Sequence, residues 1–370
     1  MSSFTYPKIG IIGGGQLGRM FILECRRMNI YTVVLDEDPD GPAAQVANRT
    51  YHPEDVISFI RDCDVATYEF EHIDIGLIKE IEKKIPLFPS SLALQIKQSR
   101  ISEKTFLKDK GFPVPDFHII NDPSEMYSIT PKFPLVLKKA KGGYDGKGLY
   151  VINSLNDLAK LSQDLTSQFI AEDFVPYIKE LSIICARDAK GREVFYPIVE
   201  NVHKEGILLY SISPAKINKK IEKKIHEIAS NLARSLDIVG LIVIEMFLTE
   251  DEEILINEFA PRPHNSGHYS LDACDISQFE MLLRIMCSLP ITKPRLLCPS
   301  AMLNIIGKGA DEVHIGNVLS LPGIKLHIYG KRDARPGRKM GHINILGRTT
   351  KDVKELLQNT MSLVYNTKKI

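Results

Sequence analysis

Two glutamates on what reads as one hairpin are the residues of this chain best placed to do chemistry. Residues 243–248, VIEMFL, and 253–260, EILINEFA, are rich in apolar and β-branched side chains and flank an acidic turn, TEDE, at 249–252, the pattern of an antiparallel pair. Glu245 and Glu258 interrupt these runs, and a carboxylate inside an apolar strand is costly unless a cation meets it. A four-residue turn would pair Leu248 with Glu253 and set Glu245 opposite Ile256. Glu258 is then the diagonal neighbour of Glu245 on the same face, about 7 Å away at the backbone. A slip of one residue would send the two to opposite faces. Carboxylate oxygens with no Cys or His on the hairpin suit Mg2+, or Mn2+ in its place, better than zinc. Two solvated rim carboxylates are the plainer alternative. Asn257 beside them and Arg262, His264 and Asn265 just beyond favour a site.

Two glycine-rich segments offer a second kind of chemistry, the holding of phosphate. GGGQLG at 13–18 follows the apolar run KIGII and leads into a stretch with Leu17, Met20, Phe21 and Met28 at helical spacing, after which YTVVLDED at 31–38 reads as a strand. Gly13, Gly15 and Gly18 stand in GxGxxG spacing, with Asp36 eighteen positions further on. That is the dinucleotide signature, and it raises an NAD-linked dehydrogenase as one reading. Amides at a helix N-terminus hold any phosphate, however, so the motif alone does not decide. KGGYDGKG at 141–148 lies between the strand-like FPLVLKKA and LYVI, a hairpin whose backbone amides, Lys141 and Lys147 can lie over phosphates. It is not a Walker A loop, because Lys141 stands where Gly is required and Gly148 where Ser or Thr is. Lys138, midway along an apolar strand, needs an anionic partner if its ammonium is inside.

The elements that must position these groups follow from the remaining patterns. CDVAT at 63–67 reads as a strand of the first unit, and Glu69 and Glu71 alternate onto one face beyond its end, the ligand side of an open parallel sheet. They bind a polar small molecule together or are solvated loop acids. This βα pattern closes near 88–98, with Arg100 on the next helix. FIAEDFV, ELSIICAR and EVFYPIVE then read as strands of an α+β region. Residues 216–236 form a helix with Ile217, Ile221, Ile225, Ile228 and Leu232 on one face; its lysines make a solvated face, without the interleaved aromatics of a nucleic-acid surface. A compact helix at 277–289 and TKPR mark a second boundary near 291. The tail is a small β-rich module whose cluster Lys331, Arg332, Arg335, Arg338 and Lys339 reads as a pocket for one phosphate, with exposed loop charges as the alternative.

Bulk properties bound these readings. The 370 residues, 44% hydrophobic and 25% charged, are ordinary for two or three globular domains. A net charge of +1 offers no long-range attraction to nucleic acid or to an anionic membrane, so anion recognition must be local. No apolar run approaches a membrane span and MSSFTYPK lacks a signal-peptide core, so a cytoplasmic location is expected. Six cysteines without a CxxC pair are expected to be reduced and buried.

GGGQLGRM, YEFE, GGYDGKG, NEFAPRPHNSGH, SQFE and GRKMGH, in that order over most of the chain, resemble the N5-carboxyaminoimidazole ribonucleotide synthase family of ATP-grasp enzymes. The resemblance implies a mixed α/β and α+β protein with an ATP-grasp fold at 96–290. An N-terminal Rossmann-like (pre-ATP-grasp) domain at 1–95, not binding NAD, would precede it, and a small β-rich C-terminal domain at 291–370 would follow. The implied reaction is ATP-dependent carboxylation of 5-aminoimidazole ribonucleotide by bicarbonate in purine biosynthesis, giving ADP and phosphate. Implied with it are Mg2+ (or Mn2+), a cytoplasmic homodimer, and no nucleic-acid or membrane partner. Another ATP-grasp ligase, such as a formate-dependent glycinamide ribonucleotide transformylase, is the nearer alternative; the dehydrogenase is the distant one.

Carried over residue by residue, the family pattern places Arg100 and Lys138 on the ATP phosphates, under a loop of Gly143, Tyr144, Asp145, Gly146, Lys147, Gly148 and Leu149. Glu172, Asp173, Phe174 and Val175 would hold the adenine edge, Glu180 the ribose, and His203 would lie beside the nucleotide. Glu245 and Glu258 would be the Mg2+ ligands, assisted by Asn257. Gln16, Leu17, Lys331 and Arg338 would take the ribonucleotide phosphate, with Glu71, Tyr144 and Asp145 near its base. Arg262, His264 and Asn265 would handle bicarbonate. Two departures from the family pattern flank the loop: Leu149 stands where Gln is common, and Lys139, Ala140 and Lys141 replace a Thr-Arg-Arg-like segment. Bicarbonate is a poor electrophile, so ATP would first convert it to carboxyphosphate. Positioning and charge neutralisation are what such phosphoryl transfer needs.

Overall fold

A computed structural model of the chain describes residues 6–122, 125, 133–142, 148–162, 168–309 and 312–365. The expected loop residues Gly143, Tyr144, Asp145, Gly146 and Lys147 lie outside them.

Among the described residues the strands gather into three sheets. The first is parallel: β1 (Ile9–Ile12), β2 (Thr32–Leu35), β3 (Arg49–Tyr51), β4 (Val65–Tyr68) and β5 (Leu87–Phe88), in the order β3-β2-β1-β4-β5. β1 and β2 are buried at every position, as befits parallel strands covered on both faces. The helix Gln16–Arg27 turns Leu17, Met20 and Phe21 inward. It belongs to a core shared with the helix Gln278–Met286 from much later in the chain, which fixes the first sheet against the centre of the molecule.

The second sheet is antiparallel: β6 (Phe117–Ile120), β7 (Leu135–Lys139), β8 (Leu149–Ile152) and β9 (Phe169–Asp173), in the order β6-β9-β7-β8. The third has nine strands: β10 (Tyr177–Arg187), β11 (Glu193–Phe195), β12 (Val199–Lys204), β13 (Ile207–Ser213), β14 (Gly240–Thr249), β15 (Ile254–Ala260), β16 (Ser300–Ile306), β17 (Ile324–Ile328) and β18 (Lys339–Leu346). The helix Lys219–Ser235 lies on it through Ile221, Ile225, Ile228 and Leu232, one apolar stripe at helical period. Its start is capped by the Asn218 side chain, which accepts from the Ile221 N–H at 2.9 Å; such a cap contributes about 1 kcal/mol. The pairing of β13 with β16 carries this sheet across residue 291, so the tail strands extend the central sheet.

The hairpin of β14 and β15 corrects the register expected from sequence. Its connection is one residue longer, and Leu248 pairs with Ile254, not Glu253. Thr249 closes the connection: its N–H donates to the Glu253 carbonyl and its Oγ1 accepts from the Glu253 N–H, both at 3.1 Å. That slip alone would part the two glutamates. A bulge restores them, because the register shifts again between Met246↔Ile256 and Glu245↔Glu258. Asn257 is the extra residue, and such an insertion kinks a strand and re-aims its side chains.

Candidate active site

The three sheets enclose a cleft of about 800 Å³. From the first sheet come Gln16, Leu17 and Glu71; from the second come Lys138, Leu149 and Glu172, followed by Asp173, Phe174 and Val175. The third contributes Glu180, His203, Glu245, Asn257 and Glu258, then Arg262, His264 and Asn265. Arg100, at the start of the helix Arg100–Asp109, also reaches it. Gly148, just before the return strand β8, is at φ +71°, where an added Cβ would sit 2.9 Å from that of Lys139, so glycine is required on both counts.

Two expected residues are placed elsewhere. Lys331 donates to the Lys339 carbonyl at 2.7 Å and lines a separate, smaller cavity, while Arg338 donates to the Asp333 carbonyl at 3.0 Å. The loop folds on itself through these bonds, and it is Lys339, at the start of β18, that lines the cleft.

The first glycine loop is held by the protein's own acids. Gly14 N–H donates to Asp36 Oδ2 at 2.7 Å, Gly18 N–H donates to Glu69 Oε2 at 2.7 Å, and Gly15 N–H bonds the other Glu69 oxygen. Asp36, the acid a dinucleotide ribose would need, is thereby engaged, and Glu69 sits where a pyrophosphate would lie. These bonds argue against the dehydrogenase reading and separate the roles of the two acids in YEFE: both border the cleft, but Glu69 is buried and gives its oxygens to the loop amides while Glu71 pairs with Arg262.

Charges in the cleft are arranged in two linked groups. Lys138 finds its anion in Glu172, at 2.8 Å, and also donates to Asn257 Oδ1 at 3.0 Å. Lys104 lies 3.3 Å from the same Glu172 oxygen, and burial lowers its ammonium to about 8. The second group centres on Glu258, whose Oε2 is 2.7 Å from Lys97 Nζ and 3.7 Å from Arg100 Nη1. Burial acts to raise the Glu258 carboxyl, but Lys97 and Arg100 overcome it and hold the group well below the usual carboxylate range. Burial pushes Glu245 up to about 7, against the opposing pull of His203.

These residues fit a divalent cation. Glu245 Oε1 is buried without a hydrogen-bond partner in the structure, directly across from Glu258, and an orphaned carboxylate oxygen of that kind calls for a ligand. Among the described residues no larger group of His, Cys, Asp and Glu has metal-binding geometry. Two carboxylates are the share a protein commonly gives to Mg2+ alongside substrate phosphates.

At the other end of the cleft, Arg262 Nη2 bonds both oxygens of Glu71, at 2.7 and 2.8 Å, while Arg262 Nε is buried without a partner. Burial drives the His264 imidazole well below its usual range, reinforced by Arg262 and Lys339, so the ring is neutral. Its Nδ1 accepts the Ser266 N–H at 3.3 Å, which leaves the proton on Nε2. Asn265 exchanges amide bonds with Asn304 of β16, at 3.0 and 2.7 Å. Glu180 and His203 are bonded to each other, and that bond raises the imidazole against the opposing effect of burial.

Comparison with known proteins accounts for this layout. Residues 6–98 match the ribonucleotide synthetase preATP-grasp domain, 105–279 the ATP-grasp domain, and 300–356 the phosphoribosylaminoimidazole carboxylase C-terminal domain. The N5-carboxyaminoimidazole ribonucleotide synthase of Aquifex aeolicus is 43% identical over 360 residues, 96% of each chain. The chain belongs to the N5-carboxyaminoimidazole ribonucleotide synthase family. The family member of Bacillus subtilis is 40% identical over 91% of each chain. Two solved structures of N5-carboxyaminoimidazole ribonucleotide synthases agree: an ADP complex at 39% identity, with TM-score 0.91 over 97% of this chain and 98% of that one, and the Aspergillus clavatus enzyme with ADP and 5-aminoimidazole ribonucleotide, at 33% identity and TM-score 0.91 over 99% and 100%.

Beyond the residues singled out from the sequence of this synthase-family chain, the cleft is also lined by Lys97, Tyr177 and Phe247. The last two are stacked with ring centroids 4.8 Å apart. Lys339, the last member of the basic cluster that the sequence marks as a phosphate pocket, lines the cleft as well. Tyr177 and Phe247 meet only through the pairing of β10 with β14, for which the sequence carries no local signal.

Proposed function

We propose that this chain uses ATP to join bicarbonate to the amine of 5-aminoimidazole ribonucleotide. Supporting this reading above all is the facing pair Glu245 and Glu258, set in one cleft with Lys138 and Arg100 on one side and Glu71, Arg262 and His264 on the other. Lys138 and Arg100 hold the triphosphate, and Tyr177, Phe247 and the segment Glu172–Val175 receive the nucleoside. When bound at Glu245 and Glu258, Mg2+ neutralises phosphate charge. A bicarbonate oxygen attacks the γ-phosphorus as ADP leaves, forming carboxyphosphate. The substrate amine then attacks its carbon, the C–O bond breaks, and phosphate departs with that oxygen. Arg262 holds the carbonate group through charge-assisted bonds, and neutral His264 orients it by donating from Nε2. Glu71, already bonded to Arg262, accepts from the ribonucleotide base, while Gln16, Leu17 and Lys339 surround its phosphate, with Lys331 and Arg338 at the outer edge.

The same reading has the chain working as three units, 1–95, 96–290 and 291–370, in a cytoplasmic homodimer. No helix among the described residues is long and apolar enough to cross a membrane. The experiment is ADP release with each acid and amine in turn. Bicarbonate with 5-aminoimidazole ribonucleotide stimulates it; stimulation by formate with glycinamide ribonucleotide instead would replace the reading with the formate-dependent ligase.

A further inference from the structure

Lys97 ends the helix Ser91–Lys97, and its side chain is only 11% exposed, between carboxylates from two other elements. Its ammonium lies 3.1 Å from both oxygens of Glu103 and 2.7 Å from Glu258 Oε2. Glu103 is fixed: it is buried in the helix Arg100–Asp109, and its Oε1 also accepts the Phe259 N–H at 2.8 Å. Glu258, by contrast, borders the cleft. A single lysine therefore joins an anchored carboxylate to one that faces ligand, and Arg100 adds a second cation 3.7 Å from Glu258.

A divalent cation arriving alone at Glu258 meets these two positive charges. One arriving with nucleotide brings the phosphate charge that offsets them, and the flexible stem of a lysine lets its ammonium withdraw onto Glu103. We propose that Lys97 is a built-in counter-ion for Glu258, one that makes divalent-cation binding depend on bound nucleotide. The proposal rests on the reading of Glu258 as a cation ligand. Lys97 is a positioning residue here: it acts on the metal through the carboxylate they share.

The test measures free Mn2+ by electron paramagnetic resonance over the intact protein, with and without saturating ADP. The wild type binds Mn2+ weakly without ADP and tightly with it. Lys97→Met raises the ADP-free affinity at least tenfold. Lys97→Met with Glu103→Gln gives the same rise while leaving no uncompensated buried charge, and Lys97→Arg, which keeps the cation, stays like the wild type. Unchanged ADP-free affinity in the folded double variant overturns the proposal. Glu258→Gln with ADP separates the underlying reading: if Mn2+ binding falls there while the Lys97 variants change nothing, only the counter-ion role is lost. If Glu258→Gln binds Mn2+ as the wild type does, the cation site and the proposal fall together.

Discussion

Glu245 and Glu258 lie directly opposite each other on β14 and β15 because Asn257, between Ile256 and Glu258, is bulged out of the ladder. Were Asn257 to pair in the register set by the turn, it would face Glu245, and Glu258 would fall on the opposite face. Deleting Asn257 removes the bulge but leaves Glu258 next after Ile256 and still opposite Glu245, so ADP-dependent Mn2+ binding is expected to survive the deletion. Asn257→Ala keeps the bulge and loses only the 3.0 Å bond to Lys138, so it keeps Mn2+ binding and weakens nucleotide binding, by about tenfold for one hydrogen bond to a charged group. Loss of Mn2+ binding by the folded deletion variant would contradict this register.

Glu69 should act on the stability of the first domain more than on substrate chemistry. Its carboxylate satisfies the Gly15 and Gly18 amides from a buried position. Glu69→Gln offers one acceptor oxygen for two donors, at a cost of about 1–3 kcal/mol for the amide left unpaired. Thermal unfolding reads this as a lower midpoint. A midpoint at or above that of the wild type would show that the loop does not depend on this carboxylate.

A pH effect is expected from the buried histidines between the central and tail strands. His268 and His342 are fully buried with ring centroids 4.8 Å apart. Burial, followed by neighbouring imidazoles, puts both well below their usual range. Folded, they stay neutral as pH falls through about 6.5, where an unfolded histidine takes up a proton. Each then removes about 1.4 kcal/mol of stability per pH unit below that point. Glu245, raised to about 7, works with the opposite sign in the same window, since its folded form binds a proton first. The informative quantity is thus the stability of the wild type relative to His342→Asn, which preserves an acceptor for Tyr329 Oη. That difference should shrink from pH 7 to pH 5, and a constant difference would contradict the assignment of His342 as a neutral buried ring.

The hairpin, the first glycine loop and the amphipathic helix Lys219–Ser235 are legible in the sequence because each is a local pattern of period, turn residue or apolar run. The register of the hairpin is not, since it depends on a Thr249 side-chain bond and on where the bulge forms. Lys97 is hidden for a related reason. By residue type it reads as a surface lysine at a helix end, and only the approach of Glu103 and Glu258 buries it. YEFE shows two acids of equal weight, while the fold assigns one to the glycine loop and the other to Arg262.

Turnover with 18O-labelled bicarbonate tests the proposed chemistry most directly. If a bicarbonate oxygen attacks the γ-phosphorus and the carboxyphosphate C–O bond later breaks, inorganic phosphate carries one labelled oxygen for each carboxylation, and only when ATP and 5-aminoimidazole ribonucleotide are both present. Phosphate released without label during carboxylation would contradict carboxyphosphate formation in this cleft.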